Sequence, residues 1–245
     1  GVEDGMTLFA IDGQGTAVMS DAIGVAEALP INDPTAIVAI SRGDIGQIVV
    51  ASNLTKSLTV LDLAPDGTLS AADHIIDTTS QFFAGARELE LIEHNSFVFV
   101  AVAGNEGGVS LFTLLANGRL QHIQSIADHS STTLYSPSGL SAAVLGDVLH
   151  LNISSEWDGG ITRMTADLSP LGQVLEAPLG GTTVSGTGGD DQIIGSDVAD
   201  TLKGNAGDDM IFDGSGRDLL IGGTGADLFI FAPDALEDKV ADFQP

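Results

Sequence analysis

GTGGDDQII (186–194), GSDVADTLK (195–203), GNAGDDMIF (204–212), DGSGRDLLI (213–221) and GGTGADLFI (222–230) follow one another without a gap. The sixth residue is Asp in every copy: Asp191, Asp200, Asp209, Asp218 and Asp227. The eighth is apolar in every copy: Ile193, Leu202, Ile211, Leu220 and Phe229. A loop that was merely acidic and flexible would have no reason to keep two residue types in one register, so the stretch is read as a solenoid of nine-residue units. Glycines at the first, second and fourth places let the backbone bend sharply and bring carbonyl oxygens close together.

The pattern matches G-G-x-G-x-D-x-U-x, and the segment resembles the RTX, or haemolysin-type, calcium-binding repeat. The resemblance implies a parallel β-roll in which six residues turn and three form a short strand, so that two nonapeptides make one coil with a turn on each edge. Calcium takes six to eight oxygen ligands at about 2.3–2.6 Å, and stacked turns supply carbonyls and carboxylates. In the family, the ion sits between a turn and the one two nonapeptides later. Carried over, that places Asp191, Asp209 and Asp227 along one edge and Asp200 with Asp218 along the other, for about three calcium ions. Backbone carbonyls are expected from Gly186, Gly188, Asp190, Gly204, Ala206 and Asp208. The carboxylates of Asp190, Asp197, Asp208 and Asp213 are expected to stay in solvent. Ser196 and Val198 stand where glycine is usual, and Asp213 replaces the first glycine of its copy. After the repeats, Asp238, Val240, Asp242 and Phe243 match the segment that caps the roll in the serralysin family. A solenoid end needs such a cover for its apolar core and strand edges.

Upstream, three segments repeat a pattern of four strands. TAIVAIS (35–41), QIVVAS (47–52) and TVLDLAPDGTL (59–69) recur as ARELELIE (86–93), FVFVAVAG (97–104) and LFTLLANGRL (111–120). They recur again as SGLSAAVL (138–145), VLHLNISS (148–155) and ITRMTADLSPLGQV (161–174). Gly67, Gly118 and Gly172 are read as the hairpin glycines. Four strands in roughly 40–50 residues make a propeller blade. Residues 1–177 resemble the divergent β-propellers of the lactonase and surface-layer type, with 178–185 as a linker and 186–245 as the roll and its cap. The fold class expected is all-β: a partial propeller followed by a parallel β-roll. LFAIDGQGTA (8–17) supplies only the last two strands of a first blade, which leaves about three and a half blades where closed rings use four to eight. Residues upstream, or association of copies, would complete a ring.

Acidic residues outnumber basic ones 34 to 8, for a net charge of −26, which repels nucleic acid and anionic membranes and favours cations. The absence of cysteine excludes disulfides and thiolate sites. The apolar runs are too short to span a bilayer. There is no H-E-x-x-H, G-x-S-x-G or phosphate-binding loop, and His74, His94, His122, His129 and His150 are scattered. The expectation is therefore a secreted or surface protein of a Gram-negative bacterium, exported by a type I route, binding calcium and leaning away from catalysis. It is read as an adhesin or as a matrix or surface-assembly subunit, with self-association or a cell-surface or carbohydrate partner. A lactonase-class hydrolase is the alternative, and carbohydrate binding without catalysis a third. Trp157 is the candidate for stacking on a sugar or partner, and Tyr135 for hydrogen-bonding a ligand.

Overall fold

The structure, a computed structural model, describes residues 5–24, 31–78, 81–234 and 236–243, and every regular element among them is a strand. No helix among them is long and apolar enough to cross a membrane. Two compact units are formed, residues 1–93 with 98–166 and residues 94–97 with 167–245.

In the first unit, β1 (Gly5–Ile11) and β2 (Ala17–Gly24) form a two-stranded sheet. Then come β3 (Pro34–Arg42), β4 (Ile45–Ser52), β5 (Ser57–Leu63) and β6 (Leu69–Ile76), which lie side by side in that order. The same order holds for β7 (Glu88–His94), β8 (Phe97–Gly104), β9 (Gly108–Leu114) and β10 (Leu120–Ala127). A third sheet contains β11 (Pro137–Leu145), β12 (Val148–Ser155) and β13 (Gly160–Asp167). These are the expected antiparallel, propeller-like blades. Strands β4 and β8 lie in the middle of their sheets, covered on both faces, which is why they read as unbroken apolar runs rather than alternating ones.

The hairpins before the outer strands are set by Gly15, Gly67 and Gly118, with φ of 82°, 86° and 81°. Each donates its N–H to the carbonyl three residues back, on Asp12, Ala64 and Leu115. A bulge then interrupts each outer strand at Ser20, Ala72 and Ile123. The residue after the bulge links the blades: Asp21 accepts the N–H of Leu69 at 2.7 Å and Asp73 that of Leu120 at 2.8 Å. Both leucines lie in the apolar layers between sheets. Leu69 packs with Ile31, Ile48, Val50 and Leu61, and Leu120 with Val98, Val100, Phe112 and Leu114.

The third blade departs from the sequence reading. Leu171–Glu176, expected to return along β13 as its outer strand, is β14 of the roll. The turn opens as in the other hairpins, with the Leu171 N–H on the Leu168 carbonyl at 3.2 Å. The residue at the glycine place, however, is Leu171, which is not among the positive-φ residues. Without a left-handed residue there, the chain is not turned back on β13.

In the second unit, β14, β16 (Asp190–Ile194), β18 (Met210–Phe212) and β20 (Leu228–Ile230) form one parallel sheet. The other contains β15 (Thr183–Ser185), β17 (Thr201–Ala206), β19 (Leu219–Thr224) and β21 (Lys239–Val240). Residues placed in the propeller and the linker by sequence are thus rungs of the roll. Ile193, Leu202, Ile211 and Leu220 are fully buried between the sheets, and Leu175, Val184, Phe229 and Val240 continue the column.

Candidate metal centre

Turns stacked on the edges of the roll bring the repeat aspartates into two ladders. On one edge the Asp191 N–H donates to Asp209 Oδ1 (2.9 Å), the Asp209 N–H to Asp227 Oδ1 (3.1 Å), and the Gln173 N–H to Asp191 Oδ1 (2.5 Å). On the other, the Asp200 N–H donates to Asp218 Oδ1 (2.7 Å), the Thr182 N–H to Asp200 Oδ1 (2.7 Å), and the Asp218 N–H to Asp238 Oδ1 (2.9 Å). One oxygen of each carboxylate therefore ties its turn to the one above, 18 or 20 residues earlier in the chain.

The second oxygen distinguishes the turns. Asp191 Oδ2 receives the Thr187 N–H at 2.6 Å, and Asp200 Oδ2 receives the Ser196 N–H at 2.9 Å and hydroxyl at 2.8 Å. Ser196, read from sequence as a departure from glycine, is thus a partner for the repeat carboxylate. Asp209 Oδ2 and Asp218 Oδ2 are buried without a hydrogen-bond partner. Leaving a buried charged oxygen unpaired is costly, so these two positions fit a bound cation. The rest of the donor set is oxygen, which suits a hard ion such as calcium.

Of the other expected ligand positions, Gly204 and Gly186 lie beside the second carboxylate oxygens. A Cβ on Gly204 would lie 2.0 Å from Asp209 Oδ2, and one on Gly186 would lie 2.4 Å from Asp191 Oδ2, so a side chain at either place would fill the space beside the carboxylate. Ala206 is in β17, opposite Thr224. Asp190 accepts the Asp208 N–H at 2.8 Å, and the exposed Asp208 accepts the Ala226 N–H at 2.7 Å, so both side chains fasten the turns. Gly188 has no neighbour within 4 Å of a would-be Cβ.

Asp213 corrects the sequence reading most. Expected in solvent, it is 1% exposed, and one oxygen each from Asp213, Asp218 and Asp238 lie within 4.8 Å of one another. The cap thus supplies a carboxylate to the edge that looked weaker, while Asp242 accepts the N–H groups of Gly222 (3.0 Å) and Gly223 (2.8 Å) on the other. The first glycine of this copy is replaced because an acid there faces the cluster.

Burial, with Asp191, Asp227 and Asp190 nearby, pushes the Asp209 carboxyl up to about 6, and burial with Asp238 and Asp218 nearby does the same to Asp213, to about 6. Burial with Asp238 and Asp200 nearby also raises Asp218. A carboxyl whose folded pKa is raised contributes stability below its unfolded pKa and loses it as pH rises through the folded value. In chelator, where the roll is unfolded at pH 7.5, part of its β signal is therefore expected to return at pH 5, measured by circular dichroism. D209N and D213N variants should reduce that pH dependence, and a β signal that grows as pH rises would contradict the assignment.

Residues 194–229 match the model of the RTX calcium-binding nonapeptide repeat in four copies. Residues 194–229 of the roll are RTX calcium-binding repeats, and the chain joins the roll to propeller-like blades. No curated protein sequence matches the chain. Among solved structures, a Lactobacillus plantarum protein is similar at TM-score 0.45 and 17% identity, over 67% of this chain and 49% of that one. The periplasmic gluconolactonase of Pseudomonas aeruginosa is similar at TM-score 0.45 and 12% identity, over 67% and 48%. The Trypanosoma rangeli sialidase in complex with the inhibitor DANA follows at TM-score 0.38 and 9% identity, over 68% and 31%. The match spans about half the length of the first two structures.

Proposed function

We propose that this is a secreted calcium-binding protein whose roll folds on meeting extracellular calcium. In this reading its blades present a surface for adhesion or for assembly of an extracellular matrix or surface layer, and it is not an enzyme. The observation that carries the reading is the pair of buried, unpartnered carboxylate oxygens on Asp209 and Asp218 within stacked acidic turns. Without a cation these turns repel, and a net charge of −26 adds to the repulsion. With one, binding free energy becomes folding free energy. Folding then waits until the chain is outside the cell.

For the partner, the supporting feature is the chain's only tryptophan and only tyrosine, which meet at the surface. Trp157 is 77% exposed and Tyr135 49%, with ring centroids 6.3 Å apart at 89°. The Tyr135 N–H donates to Asp158 Oδ2 at 3.0 Å, and the Ser155 hydroxyl donates to the Tyr135 carbonyl. These hydrogen bonds fix the Tyr135 backbone against the β12–β13 turn. An exposed aromatic pair suits a sugar face or a cell-surface protein.

Sedimentation velocity in millimolar calcium and after chelation tests both parts. The reading expects compaction with calcium and reversible oligomers that W157A weakens. An unchanged sedimentation coefficient would remove calcium-dependent folding, and a compact monomer at every concentration would remove assembly.

A further inference from the structure

The segment 170–177 fits two places in the protein. The turns before the outer strands read Pro65-Asp66-Gly67-Thr68-Leu69 and Ala116-Asn117-Gly118-Arg119-Leu120, and the third reads Pro170-Leu171-Gly172-Gln173-Val174. In that alignment Gly172 is the left-handed turn residue and Val174 takes the place of Leu69 and Leu120. In the roll the same residues are used otherwise. Gly172 is not at positive φ, and a Cβ there would lie 2.2 Å from Asp191 Oδ1, so it makes room for that carboxylate. The Gln173 N–H is held by Asp191, and Val174 and Leu175 lie opposite Gln192 and Ile193.

The blade without an outer strand retains what such a strand would dock on. β13 ends its sheet. Beside it, between β9–β10 and β12–β13, is a groove of about 60 Å³ lined by Leu111, Gln124, Ile126, Leu149, Leu151 and Met164, several times the roughly 10–15 Å³ that one water needs. At the preceding joint the equivalent space is a filled apolar layer that includes Leu120. Gln124 follows the Ile123 bulge as Asp21 and Asp73 follow theirs. It offers an amide oxygen where those residues accept the N–H of the incoming strand.

We propose that the β13 edge and this groove form a strand-receiving site, and that its occupant is residues 173–177 of the same chain whenever the roll is without calcium. Pairing would be antiparallel, with the turn moved one residue so that Gly172 becomes left-handed. Val174 would fill the groove and donate its N–H to Gln124. Only Leu168, Ser169 and Pro170 separate β13 from β14, so no segment from another molecule competes at the effective concentration this short link provides. Calcium sets the balance because the Asp191 ladder that holds Gln173 exists only in the folded roll. The exchange stores the first rung of the roll as a paired strand and covers an edge open to aggregation.

This inference rests on calcium-dependent folding of the roll, and hydrogen exchange on the full chain separates the two. On chelation, amides in 186–230 should lose protection while residues 174–177 keep theirs and those of Gly160–Asp167 exchange roughly tenfold more slowly. The slowing should be unchanged on tenfold dilution and should vanish in V174P and weaken in Q124A. Loss of roll protection with no gain in β13 would overturn the strand exchange alone. Full roll protection in chelator would overturn both readings, and a gain that fades on dilution would overturn the intramolecular occupant.

Discussion

Replacing Asp209 with alanine is expected to remove most of the calcium-dependent stability of the roll. Its Oδ1 holds the turn above through the Asp191 N–H, and its unpartnered Oδ2 lies where a cation would sit between neighbours. A site at a hundredfold excess of ligand over Kd contributes about 2.7 kcal/mol, so Asp209, which the family geometry would place between two sites, stands to lose about 5 kcal/mol. The orphaned Asp191 N–H adds about 1–3 kcal/mol whether calcium is present or not. Calorimetric unfolding at several calcium concentrations separates the terms, because only the first grows with calcium. D44A, in the exposed β3–β4 turn, is the control. Equal losses in the two variants would remove Asp209 from the metal centre.

Phe112→Ala should destabilise the bladed unit by about 3–5 kcal/mol, with or without calcium. Phe112 is fully buried, edge-on to Phe83 at 5.6 Å and to the His122 ring at 5.3 Å, in the apolar layer shared by β4, β5, β8 and β9. Truncation leaves a cavity that two rigid sheets cannot collapse. Urea unfolding followed by circular dichroism measures the loss, and a value below about 1 kcal/mol, or one that tracks calcium, would mean the layer is not the core of that unit.

The two predictions divide along the line where sequence was readable. The roll showed itself because five aspartates and five apolar residues keep one register. Its first two rungs did not, since Gln173 and Thr182 stand where Asp recurs and contribute N–H groups instead of carboxylates. Leu175 and Val184, eighteen and nine residues before Ile193, were the available signal. At the other end, Asp238 enters the ladder 20 residues after Asp218 rather than 18, an insertion that hides it from a strict period. Asp213 was misplaced because sequence carries no measure of burial.

In the blades, the glycines at 67 and 118 marked true hairpins, for only a left-handed residue closes that turn, as Gly15 also does in the first sheet. Gly172 looked the same in sequence and serves Asp191 instead, which is why the third outer strand was assigned to the wrong unit. The pairing of Trp157 with Tyr135 was beyond sequence, since it joins the β12–β13 turn to the connector before β11.

The central claim is that calcium binding and folding of the roll are one event. Its most direct test is a calcium titration of the chelator-stripped full chain followed by far-ultraviolet circular dichroism, with magnesium run in parallel. The account predicts a cooperative gain of β signal at calcium concentrations found outside cells and none with magnesium, whose octahedral geometry and tightly held water suit these turns poorly. A spectrum that is the same in chelator and in calcium would contradict it.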